Sequence, residues 1–266
     1  TGTQTGNRIL SQFLNTNYSY KDRYLLSGSI RKDGSSRFAK NYQSATFWSV
    51  GAGWNISNEN FFKVNWISEL KLRASYGYTG NQGIDNFESQ GLYGTGGDYT
   101  LSSGMSLTQL ANDNLTWEKN IPFNIGLDFS LLKGRLSGSF EWYTRTSSNL
   151  LFNQSIPSVN GVTSITINNG AIKNTGIEFN ISSVNIAPKN AKGFKWTTDL
   201  NFSQYKNEIT QIDSAYATSG AYLRGVGNDF YTHYQRGYAG VNPDNGEALW
   251  YARNTKDSTT NAFTTS

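Results

Sequence analysis

From Leu70 to Gly80 the chain runs LKLRASYGYTG, alternating apolar and polar positions one by one. Leu70, Leu72, Ala74, Tyr76 and Tyr78 share one parity, and Lys71, Arg73, Ser75, Gly77 and Thr79 share the other. Successive side chains of a strand point to opposite faces, so this run predicts one apolar and one polar wall. A helix would need apolar residues every three or four positions, and none recur that way here.

The same plan repeats along the chain. Leu14, Thr16, Tyr18 and Tyr20 share a face, a tight Lys21-Asp22-Arg23 connection follows, and Tyr24, Leu26, Gly28 and Ile30 run back. Beyond the polar segment Asp33 to Ser44, Trp48, Val50, Ala52, Trp54 and Ile56 mark a third strand. A mid-length link through Asn58, Glu59, Phe61 and Phe62 leads to the Leu70 strand. From about Asn81 to Thr116 no periodicity is sustained, and connections that long are usually functional.

Ile121, Phe123, Ile125, Leu127 and Phe129 then alternate with Asn124, Gly126, Asp128 and Ser130. Pro122 sits against this reading, since proline is tolerated mainly near strand starts and edges. A short turn from Leu131 to Arg135 returns through Leu136, Phe140 and Trp142. After a second long connection, about Phe152 to Asn168, come Ile177, Phe179 and Ile181, then Phe194, Trp196, Thr198, Leu200 and Phe202. Tyr231 to Trp250 predicts one or two further strands around the turn Pro243-Asp244-Asn245-Gly246, and the residues beyond form a polar, frayed end.

Short and long connections alternate through these strands, as they do in up-and-down barrels with tight periplasmic turns and long external loops. Several strands pass the roughly ten residues a tilted spanning strand needs. Tyr18, Tyr20, Trp48, Trp54, Tyr78, Trp142 and Trp196 gather near strand ends, where an interfacial girdle would lie. The expected fold is all-β: a portion of an antiparallel up-and-down transmembrane β-barrel, about nine or ten strands of a larger barrel, with long extracellular loops. Residues 1–266 form one partial barrel domain on this reading. A soluble sandwich has the same period. A surface-attached β-sandwich that binds carbohydrate, an adhesin-like module, therefore stays open, as does an all-β glycan-cleaving enzyme.

Composition sharpens the choice. Hydrophobic residues make up 36 %, aromatics 14 % and the mean hydropathy is −0.54, with 27 Gly and 4 Pro. No run approaches the roughly 18 apolar residues of a spanning helix. Without Cys there is neither a disulfide framework nor thiol chemistry. The net charge of +4 comes from scattered Lys and Arg without a basic run, which excludes a nucleic-acid binder. The opening TGTQTGNRIL lacks a signal peptide's charged start and apolar stretch, so Thr1 is expected to begin a mature protein or a piece of a longer one.

NYSYKDRYLLSGSIRKDGSSRF (Asn17 to Phe38) and LKLRASYGYTGNQ (Leu70 to Gln82) resemble barrel segments of SusC/RagA-type TonB-dependent outer-membrane transporters. So do LTWEKNIPFNIGLDFSLLKGRLSGSFEWY (Leu115 to Tyr143), NNGAIKNTGIEFNIS (Asn168 to Ser182) and AGVNPDNGEALWY (Ala239 to Tyr251). The resemblance implies a barrel of ~22 strands with a plugged lumen. It further implies import of a large nutrient, a glycan or oligosaccharide first, across a Bacteroidetes-type Gram-negative outer membrane, with neither catalysis nor a cofactor. A SusD-like surface lipoprotein would cap the outside, and TonB would act through a plug and TonB box that this chain does not contain. An internal barrel segment, short of the usual terminal aromatic strand, is the expectation.

The polar wall carries Arg31, Lys71, Arg73, Asp128, Glu141, Lys195 and Asp199, expected to face the lumen or dock the plug. Facing lipid, each Lys or Arg near the midplane would cost roughly 2–4 kcal/mol. Phe87, Tyr93 and Tyr99, in the first long connection, could stack on sugar faces. The sole histidine, His233, has no assignable catalytic partners, and His/Cys metal ligation is ruled out by counting. GLYGTGG (Gly91 to Gly97) lacks the Lys-Ser/Thr ending of a phosphate loop and is expected to be a flexible loop. The segment from Asn242 offers oxygen ligands without EF-hand spacing and is expected to be a plain turn.

Overall fold

The computed structural model of the chain describes residues 5–99, 102–188, 193–213, 217–235, 237–253 and 263–265. Its strands, in order, are β1 (Ile9–Tyr20), β2 (Tyr24–Ser35), β3 (Ser44–Asn55), β4 (Ile67–Asn81), β5 (Leu92–Tyr99) and β6 (Ser102–Gln109). Then come β7 (Glu118–Leu131), β8 (Leu136–Ser148), β9 (Leu151–Ser155), β10 (Ser164–Asn168), β11 (Ala171–Ile186) and β12 (Trp196–Gln211). The short strands β13 (Ala217–Ser219), β14 (Tyr222–Arg224), β15 (Tyr238–Val241), β16 (Ala248–Arg253) and β17 (Phe263–Thr265) follow.

Eight of these form one antiparallel wall in the order β1-β2-β3-β4-β7-β8-β11-β12. The alternation survives every pairing. Leu14 faces Ile30, Ile30 faces Trp48 and Trp48 faces Tyr78. Farther along, Leu72 faces Leu127, Leu127 faces Phe140, Phe140 faces Phe179 and Phe179 faces Phe202. Every strand thus carries its apolar parity in one register, and Leu14, Trp48 and Leu72 stand exposed along it, while at the loop end Tyr78 packs against the Phe47 cluster. The wall stays open between β1 and β12. The strands expected between Tyr231 and Trp250 are β15 and β16, a separate hairpin around the Pro243 turn. In the polar tail, residues 254–262 and 266 lie outside the described residues, while β17 pairs with β16.

Tight turns join the strands at one end. Lys21 and Asp22 both have positive φ, 52° and 51°, and Arg23 N–H closes the turn on the Tyr20 carbonyl at 3.0 Å. Leu132 and Lys133 repeat this between β7 and β8 at 52° and 57°. Two positive φ angles give the turn a twist that matches the strands. Pro122 lies inside β7. The β4–β7 ladder pairs Tyr76 with Phe123 and Thr79 with Asn120 and skips the positions between, where proline has no N–H to give.

The long connections depart from expectation. Asn81 to Thr116 is no wandering loop: β5 and β6 pair within it, and GLYGTGG lies largely on β5 rather than in a flexible loop. β9 and β10 form a second hairpin between β8 and β11. The reason is long-range bracing that no local pattern announces. Phe38, Phe47, Leu115 and Trp117 form a buried cluster, with Phe38 and Phe47 centred 4.8 and 5.4 Å from Trp117. Trp117 Nε1 donates to the Gln43 carbonyl at 3.2 Å. Asn168 accepts from Thr116 N–H at 2.8 Å and returns a bond to its carbonyl at 2.7 Å.

At the opposite end Glu59 gathers the strand ends. Trp54 Nε1 donates to it at 3.0 Å and Arg23 Nη1 at 3.3 Å. A hydroxyl bond from Tyr24, then the Trp54 bond and the charge of Arg23, hold its carboxyl below the usual carboxylate range.

Two outcomes are expected of a full-length receptor carrying this segment. Trp117→Ala should lower unfolding stability by about 3–5 kcal/mol, the range for emptying a large buried aromatic site, and should expose 81–117 to protease. Glu59, with its pKa depressed in the fold, stabilises above its unfolded value and loses that contribution as pH falls through its folded one. Glu59→Gln should therefore lower thermal stability at neutrality, flatten its fall below about pH 4, and converge with wild type in acid.

Candidate functional site

The polar face of the wall is the candidate site, and strand pairing builds it. Arg73 on β4 reaches across Gly126 on β7 to Glu141 on β8. Its Nε donates to both oxygens of Asp128, at 3.2 and 3.1 Å, and its Nη2 to Glu141. Asn124 Nδ2 donates to the other Glu141 oxygen at 3.0 Å. Gly126 is what permits this: a Cβ there would come within 2.8 Å of the Arg73 guanidinium carbon. One cation thus serves two carboxylates over three strands. The side chains remain 20–32 % exposed, so solvent screens the network and it contributes about 1 kcal/mol at most.

The other expected polar-face residues do not join it. Arg31 folds back on its own strand to buried Asp33, with Nε at 2.6 and 2.7 Å from the two carboxylate oxygens. A hollow of about 460 Å³ lies beside this pair, lined by Phe13, Asn15, Ser29, Arg31, Asp33 and Phe47, among others. Lys71 stands opposite Asp128 in register, yet Asp128 is taken by Arg73. Asp199 lies on β12 opposite Ser182, and Lys195 just precedes that strand. Both are exposed.

Among the loop aromatics, Tyr93 lies on β5 and is 66 % exposed. Phe87 occupies the turn before that strand at φ 67°, and its carbonyl accepts from Gln109 Nε2 at 2.8 Å. Tyr99 ends β5, and its side chain lies outside the described residues. The two long connections meet beside this hairpin: Thr166 Oγ1 donates to Glu88 at 2.7 Å, and Asn112 Nδ2 to the Thr166 carbonyl at 2.8 Å. Arg37 joins them from the β2–β3 connection, donating to Asn86 at 3.1 Å and to the Gln82 carbonyl at 3.2 Å.

His233 bridges Tyr222, its ring 5.1 Å from the tyrosine ring. The Asn242 segment spends its oxygens on its own turn: Asn242 Oδ1 accepts from Asp244 N–H and Asn245 Oδ1 from Glu247 N–H, each at 3.0 Å. Sequence reasoning did not find Gly126 and Asn124 as network members, nor Leu115 and Trp117 as loop anchors. The parity of Gly126, on the polar side between Asn124 and Asp128, was the available signal.

Residues 1–265 match the family described as TonB dependent receptor-like, β-barrel. TonB-dependent receptor P39 of Formosa agariphila is 41 % identical over 226 residues, 84 % of this chain and 22 % of that protein. TonB-dependent receptor SusC of Bacteroides thetaiotaomicron is 39 % identical over 221 residues, 80 % of this chain and 22 % of its own length. The solved RagAB peptide transporter superposes with a TM-score of 0.85 at 31 % identity, over 92 % of this chain and 27 % of that one. The chain therefore spans about a fifth of the length of the curated relatives it matches. The chain belongs to the TonB-dependent receptor β-barrel family, a family of outer-membrane proteins.

Proposed function

We propose that this chain supplies part of the wall and outer loops of a SusC-like, TonB-dependent importer in a Bacteroidetes-type Gram-negative outer membrane, with residues 1–266 as one partial barrel domain. The observation that carries the reading is the single apolar face kept in register across eight strands. An uncovered apolar surface of that extent is not tolerated in water. Against lipid it is the outer wall of a barrel, and Arg31, Lys71, Arg73, Asp128, Glu141, Lys195 and Asp199 then face the lumen or the plug.

The braced long connections lie at the external end, where a SusD-like lipoprotein would close over them and TonB would act from within through a plug. Cargo passes without covalent chemistry. A glycan or oligosaccharide is the first choice of cargo, because exposed Tyr93 and Phe87 stand beside amide-rich loops and aromatic faces stack on sugar rings. Peptide is the second choice, favoured by the likeness to the RagAB peptide transporter.

Deleting β5 and β6 (residues 92–109) from the full-length receptor should abolish growth on its cargo while the barrel still folds and reaches the membrane. Glycan and peptide uptake assayed side by side identify the cargo, and unchanged uptake of both would remove the loops from capture. Arg73→Met should cost no more than about 1 kcal/mol of stability. If the network docks the plug, the same variant should raise basal pore conductance in planar bilayers. A wild-type conductance would make Arg73 scaffold only.

A further inference from the structure

The apolar face carries charge at one end only. Following its parity along the eight wall strands, the charged residues are Lys32 on β2, Lys119 on β7, Lys173 on β11, and Lys206 and Glu208 on β12. All five stand toward the long connections: Lys32 two residues beyond Ile30, Lys119 two beyond Ile121, Lys173 four before Ile177. The four lysines are exposed. Lys206 pairs with Glu208 at 2.7 Å, and Lys173 stands opposite that same Glu208 in register without an ion-pair contact; Lys32 and Lys119 enter no ion pair among the described residues.

Just below this rim runs a row of mutually inclined rings, Trp48–Tyr76–Phe123–Trp142, with centroids 5.6, 6.4 and 5.9 Å apart. The turn end of the same face ends differently. Tyr20, Tyr24, Trp54 and Trp196 close it, and none of its strand positions there is charged.

Lysines snorkel at either edge of any bilayer, so their presence alone says little. The one-sidedness says more. It fits a leaflet whose headgroups are anionic on the loop side, above acyl chains that lie on the apolar wall. By strand geometry Lys173 and Lys206 are diagonal neighbours about 8 Å apart, and Lys119 lies about 12 Å from Lys173. Those spacings let two extended side chains reach one phosphate group.

We propose that Lys119 and Lys173, flanked by Lys32 and Lys206, form a binding rim for the phosphate groups of a phosphorylated, multiply acylated lipid of the outer leaflet. The rim rests on the outward placement of the apolar face proposed above. Its acyl chains lie along the aromatic row, and its phosphates bridge the lysines.

The test uses the full-length receptor extracted from its own membrane in mild detergent, with co-purified lipid A counted by mass spectrometry. Lys119→Gln with Lys173→Gln should cut retained phosphorylated lipid roughly thirtyfold, as expected for two juxtamembrane cations. Lys63→Gln with Lys133→Gln, in connections at the turn end, should retain the wild-type amount. Equal retention in the two double variants, or equal loss, overturns the rim.

Should the first variant fail to fold, wild-type receptor in nanodiscs decides. Phosphorylated lipid A should raise its melting temperature above that in dephosphorylated lipid A, and identical melting overturns the proposal. Displacement of the lipid by inorganic phosphate alone would make free phosphate the ligand and overturn the lipid assignment. Uptake is not read in any arm, so a failed import reading and a failed lipid site are told apart.

Discussion

Hydrocarbon offers no partner to a backbone N–H or C=O, so every such group in a spanning segment must be bonded within the protein. Strands meet that demand only edge to edge, and edge-to-edge pairing fixes side-chain direction with a period of two. A slip of one residue at any of the seven interfaces of the eight-stranded wall would carry an apolar set to the polar side. The pairs Leu14–Ile30, Trp48–Tyr78, Leu127–Phe140 and Phe179–Phe202 are therefore one constraint repeated. The break at Pro122 is confined to the positions between two intact pairs, and parity resumes beyond it.

The polar face obeys a second constraint: it must stay thin. Large side chains there lie flat, and they do so over glycine. The Arg73 guanidinium covers Gly126, and the Tyr143 ring covers Gly176. In each pair the glycine removes the one atom that would lift its neighbour off the sheet. Glycine weakens a strand by losing side-chain packing, and here the neighbouring side chain restores that packing. The polar network and the backbone beneath it are thus one arrangement, in which Arg73 can reach diagonally past Lys71's register partner to serve two carboxylates.

The wall was legible in the sequence because its signal is local and its two solvents differ. Oil on one side and water on the other write the period directly into Leu70–Gly80 and its copies. The loops were not legible. Their order rests on contacts such as Trp117 with Gln43 and Asn168 with Thr116, separated by 74 and 52 positions. GLYGTGG shows the difficulty well: a glycine-rich run has no pattern of its own, and only pairing with β6 makes it a strand. By register the polar-parity residues share one face of the wall or lie next to it, but parity cannot choose between Lys71 and Arg73 as the partner of Asp128. That choice depends on which neighbour is glycine across the strand.

Bracing also bears on how such loops would move. The connections 82–117 and 149–170 share bonds through Glu88, Asn112, Thr116, Thr166 and Asn168, and both rest on the cluster of Phe38, Phe47, Leu115 and Trp117. A motion that opened one alone would break several hydrogen bonds and expose buried aromatics together, a cost set by packing rather than by loop length. Any rearrangement that keeps these contacts carries the two connections as a unit. A surface held in this way would have little ordering left to do on any binding, so less of the contact energy would be lost.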